Sequence, residues 1–112
     1  MNALDYAMQA TFRDDYSDAF SDVCDAARSS DNLRYWSVRF VRVVDSWDRF
    51  QGAAWVAEAW HLEGLYPVCC LAVASYAYGR ASIDGKACRR EERDLTRAAR
   101  AYCEAVREGV VV

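Results

Sequence analysis

"PVCCLAVASYAY", residues 67–78, contains no charged side chain and no side-chain amide. Wound as a helix, such a run is apolar on every side. It therefore has no face to offer water and is expected at the buried centre of the domain. Pro67 suits the first turn, where its missing N–H costs nothing, while Gly79 and the "IDGK" turn of residues 83–86 are expected to close the helix. A buried central helix needs neighbours with one apolar face each, and the flanking sequence supplies them.

Downstream, Cys88, Leu95, Ala99, Tyr102 and Val106 fall at helical spacing, so the periodicity predicts a helix from Cys88 to about Glu108, ended by Gly109. Upstream, Phe12, Tyr16, Ala19, Phe20, Val23 and Ala27 step by three and four. They predict an amphipathic helix that begins near Ala3 and stops before the turn-like Ser29-Ser30-Asp31-Asn32. A further segment places Leu33, Trp36, Phe40, Val43, Val44, Trp47 and Phe50 on one face and Tyr35, Val38 and Val41 on another, so it is expected to be central. Between it and the buried helix, residues 53–63 read as a short helix ended by Gly64. The expected fold is all-α: one domain over residues 1–112, a bundle of four long helices plus one short helix.

The bulk composition agrees. A chain of 112 residues is one domain in size, and 54% hydrophobic content with one proline leaves no room for a linker or a disordered tract. No basic stretch followed by an apolar run marks a secretory signal near the first residue, and the nearly uncharged run at residues 65–79 is too short to span a bilayer. Five cysteines, Cys24, Cys69, Cys70, Cys88 and Cys103, are odd in number and sit on apolar stretches; they are expected to be reduced, core-filling thiols. A cytoplasmic location is the expectation from these features.

Charge is distributed unevenly. The net charge is −3, yet residues 1–31 hold seven acids against Arg13 and Arg28, whereas residues 80–112 hold eight bases against six acids. No basic footprint covers the chain, which argues against direct nucleic-acid binding. Within "RDDYSDAFSDVCDAARSSD", residues 13–31, the acids are all aspartates. On a helix Asp14, Asp18, Asp22 and Asp25 share an arc of roughly 80°, opposite the apolar stripe. Neighbouring like charges repel by a few tenths of a kcal/mol, and the short aspartate stem leaves little rotamer freedom to lose on binding. The row reads as a stiff anionic template, widened by Asp15 and Asp31. A solubilising outer face is the plain alternative.

The last predicted helix repeats the spacing with opposite sign in Arg89, Arg93, Arg97 and Arg100, although Glu104 falls in the same arc. The two ridges define the candidate contacts: Asp14, Asp15, Asp18, Asp22 and Asp25 for a partner, and the arginine row as a second interface. Trp55 and Trp60 join that second set as aromatic anchors, since tryptophan is enriched at interface hot spots; core packing is the default for tryptophan at helical spacing. In size and composition, though in no quotable motif, the chain is similar to the small acidic inhibitors that phages and mobile elements carry, the anti-CRISPR and DNA-mimic class, and to acidic nuclease-immunity proteins. The likeness is one of kind, and the row has only about half the linear charge density of one DNA strand.

Catalytic motifs are not evident. His61, the single histidine, and the adjacent Cys69 and Cys70 resemble in outline the His-x-Glu and Pro-Cys-x-x-Cys signature of zinc deaminases, but the cysteines are adjacent rather than three apart and the spacer is far too short. No phosphate loop, nucleophile elbow or HExxH occurs. The paired carboxylates lie on a solvated ridge, without the burial that acid–base catalysis uses. The sequence therefore points to a non-enzymatic protein with no cofactor and no metal, which blocks a basic, normally nucleic-acid-binding surface of another protein. The competing expectation is an adaptor or structural homodimer joined through the complementary Asp and Arg ridges.

Overall fold

The computed structural model describes residues 14–29, 31–47 and 66–109, which form four helices and no strand. They are α1 (Asp14–Ser29), α2 (Leu33–Trp47), α3 (Pro67–Ile83) and α4 (Arg89–Arg107). The expected short helix at 53–63, the start of the first helix near Ala3, and His61, Trp55 and Trp60 lie outside the described residues.

α3 is the centre, as its composition demands. It packs against both α2 and α4, while α1 packs on α2 and, over a smaller area, on α4. Val68, Cys69, Leu71, Ala72, Val73, Ala74 and Ser75 are buried in succession along α3. Its neighbours contribute one stripe each: Phe20 and Val23 from α1, Phe40 and Val44 from α2, and Leu95, Ala98 and Tyr102 from α4. Phe40 links the layers, with its ring 5.6 Å from that of Phe20 and 6.3 Å from that of Tyr76.

Local chemistry sets the ends. Asn32 caps α2, its side-chain oxygen accepting from the Tyr35 N–H at 3.2 Å. α3 ends in a Schellman arrangement, Lys86 N–H to Ala81 C=O and Gly85 N–H to Ser82 C=O, with Gly85 at φ +71°. Gly109 closes α4 in the same left-handed conformation.

Two expectations need correction. Gly79 does not end α3; the helix runs on through it to Ile83. Its role is close approach to α2, where an added Cβ would stand 2.6 Å from the Ser37 carbonyl oxygen and 2.6 Å from Val41 Cγ2. Tyr35 does not face the core either, being 57% exposed. The second apolar side of α2 reduces to buried Val41 and half-buried Val38, so α2 is flanked rather than enclosed. An ion pair also crosses this contact: Arg80 Nη2 donates to both Asp45 oxygens at 2.7 and 2.6 Å and to Tyr76 Oη at 3.3 Å. None of the five cysteines is in a disulfide. Cys69 is fully enclosed, and burial, reinforced by Cys70, pushes its thiol up to about 11.

Candidate functional site

α1 presents its acids as the periodicity requires, because Ala19, Phe20, Val23 and Ala26 are drawn into the core and turn the opposite face outward. Asp18 and Asp25 are exposed and Asp22 is half-buried. Asp14 and Asp15 belong to the first turn of α1, with side chains outside the description.

The row is partly compensated within its own fold. Asp22 Oδ2 accepts from Arg39 Nη1 of α2 at 2.8 Å. Asp25 pairs with Arg28 one turn on, and this hydrogen bond is the main reason the Arg28 guanidinium is held even more firmly in its charged form. Of the three described acids, only Asp18 has no arginine partner among the described residues. The Arg28 contact was legible as an i,i+3 pair of opposite charge. Arg39 lies 17 residues from Asp22 and left no local signal.

The arginine row of α4 differs. Arg89, Arg93, Arg97 and Arg100 are all exposed, on the side of the helix opposite buried Leu95, Ala98, Tyr102 and Ala105. Among the described residues none of the four has a carboxylate within ion-pair distance, whereas Arg28, Arg34, Arg39 and Arg80 each have one. Glu92, the acid that shares this shelf, is engaged by Arg34 from α2. The space among these side chains, about 750 Å³, is bounded by α4 alone, so it is an open shelf and not a pocket.

A second hollow, about 470 Å³, runs between α3 and α4. Its floor is Cys70, Val73, Ala74, Ala77, Ala98 and Ala101, and its α4 lip carries Arg90, Glu91, Asp94 and Arg97. The Glu91 Oε2 atom is shut off from solvent and has no hydrogen-bond partner among the described residues. This groove was missed in the sequence. Its signal is the run of small residues on facing helices, which has meaning only once the two helices are known to be neighbours.

Among the described residues an aromatic surface lies at the head of α2; Trp55 and Trp60 lie outside the described residues. Tyr35 stands edge-on to Trp36, with centroids 5.0 Å apart, and the Arg39 guanidinium lies 5.5 Å over the Trp36 ring. Among the described residues no group of three or more His, Cys, Asp or Glu side chains is arranged to hold a metal ion, and no helix is long and apolar enough to cross a membrane.

The fold and its surfaces thus define a small all-α domain with an acidic helix face, an arginine-rich helix face and an apolar groove beside the latter. No family model, curated protein or solved structure matches the chain.

Proposed function

We propose that the protein acts without catalysis, by stoichiometric binding, and that the acidic face of α1 covers a basic surface of a partner protein that otherwise holds nucleic acid. The observation that supports this reading is the outward row of Asp18, Asp22 and Asp25 on one rigid helix, preceded on the same helix by Asp14 and Asp15. Its two ion pairs do not close the face. The paired side chains are 41–64% exposed. Pairs so wetted contribute about 0–1 kcal/mol and are screened by salt, so a partner's arginines displace Arg28 and Arg39 at small cost. Binding of this kind gains on-rate from electrostatic steering and loses it as salt rises.

The test is capture from the native host's lysate on immobilised protein, comparing wild type with the triple variant D18N/D22N/D25N at low and high salt, and adding duplex DNA as competitor. We expect one partner that the triple variant does not retain and that DNA competes away. A partner held equally by the triple variant, at unchanged salt dependence, removes α1 from the mechanism.

A further inference from the structure

The groove between α3 and α4 is a second interaction surface, independent of the acidic face. We propose that it receives an amphipathic helix of a partner protein, with acidic residues along the flank that meets Arg93 and Arg97.

Two observations converge on it. The floor is apolar, four alanines with Cys70 and Val73, and Ala77 and Ala101 remain exposed at its surface. Small residues on two adjacent helices let a third helix lie close, the arrangement by which amphipathic segments are held in grooves. Secondly, the charge along the open side is unspent. Arg97 belongs to both the groove and the arginine shelf, so the shelf forms one wall of the groove's approach. Of the other lip charges, Arg90 and Asp94 stand four residues apart with opposite sign and offset each other, while Glu91 balances Arg97, so the positive field comes from the adjoining shelf arginines. The occupant's chemistry follows: an apolar ridge for the groove floor and carboxylates for Arg93 and Arg97.

A second copy of this chain does not supply these features through α1. That helix is acidic and amphipathic, but Phe20 and Val23 on its apolar side are 3% and 0% exposed, already committed to its own core. The groove and the acidic face also have opposite charge preferences, so one partner surface does not satisfy both.

The test uses the full chain and a labelled synthetic helix of about 18 residues, with leucine and alanine at i, i+3, i+4 and i+7 and glutamates on one flank. Two control peptides carry lysine in place of glutamate, or the same composition scrambled. Fluorescence anisotropy reads binding at low and physiological salt. We expect the glutamate helix to bind, with affinity at least tenfold lower for R93E/R97E and for Ala77→Trp, which fills the groove and keeps the arginine charges. We expect the lysine and scrambled peptides to bind at least tenfold more weakly. Thermal melts of each variant confirm folding. Equal binding of the scrambled peptide, or binding indifferent to Ala77→Trp, reduces the effect to charge alone and overturns the proposal, as does no binding of the glutamate helix. A photo-reactive residue at Ala77 supplies an independent check. Cross-links from it to residues 48–65 of the same molecule, or to a second copy, assign the groove another occupant and overturn the proposal too. None of these outcomes depends on α1, so D18N/D22N/D25N should bind the peptide as wild type does.

Discussion

A methyl group at residue 79 would stand 2.6 Å from a backbone oxygen of α2, and that oxygen has no flexible stem by which to withdraw. Gly79→Ala is therefore expected to lower stability by about 1–3 kcal/mol, even though alanine is the better helix former by up to about 1 kcal/mol in an open helix. Urea unfolding reads the difference. Gly85→Ala serves as the contrast, with nothing within 4 Å and only the left-handed backbone at φ +71° to oppose it. Sequence alone places a glycine near a helix end or inside it with equal ease; what separates the two roles is the distant pair Ser37 and Val41. Cys69 gives a second expectation. Its folded thiol titrates at about 11 against 9.0 for the free group, so between those values the unfolded chain loses a proton that the folded one keeps. Stability falls as pH rises through that window, by about 2–3 kcal/mol in all. Tyr102, pushed up chiefly by burial, acts in the same sense at higher pH. Melts from pH 8 to 11 should show the decline, and Cys69→Ala should make it shallower; an identical slope in that variant assigns the decline to other groups.

Helices compete for the same apolar surface, and α3 is held in register against α2 by more than packing. Arg80 reaches both oxygens of Asp45, and each side chain is 29% exposed, drier than any other ion pair among the described residues. That hydrogen bond, with the one to Tyr76, is also what raises the Arg80 guanidinium further above its usual range. Breaking the pair by Asp45→Ala leaves a half-buried guanidinium with one phenol, and a loss of about 1–2 kcal/mol is expected, between the surface and buried limits. Asp22→Ala, which removes the more exposed partner of Arg39, should cost under about 1 kcal/mol. Denaturation of the two single variants checks the order, and an equal cost for both removes the distinction drawn from exposure. The stripes that create these elements were plain in the sequence because helical periodicity is local. α3 declared itself by having no polar face, and α4 by alternating arginines with Leu95 and Tyr102. The pairing of Arg39 with Asp22 and of Arg34 with Glu92 was not legible, since it depends on which helices become neighbours. The wet side of Tyr35 had the same origin: two apolar stripes on α2 do not reveal which one the core will take.

At the scale of the molecule, the directions of the charged faces matter more than their counts. The α1 row borders α2, where Asp22 reaches Arg39, while the α4 row borders α3 through Arg97 and the head of α2 through the Arg34–Glu92 pair. The contact of α1 with α4 lies between these directions and is made by other groups, including Cys103 Sγ donating to the Ala27 carbonyl at 3.2 Å. A closed two-fold dimer needs both charges on one self-complementary patch, whereas faces on different sides join copies head to tail and leave the ends open. Self-association through these ridges should thus be weak and open-ended. At physiological salt, light scattering after size exclusion is expected to give the 12.7 kDa of one chain. At low ionic strength, where screening reaches about 30 Å, the mass should rise steadily with concentration and show no plateau at two chains. R93E/R97E should abolish that rise, since it turns an attraction into a repulsion. A sharp dimer that persists across dilution and salt places the two ridges on a shared face after all, and would make the adaptor homodimer, rather than the blocking of a basic surface, the better account of why a small acidic protein carries an arginine row it does not use to hold itself together.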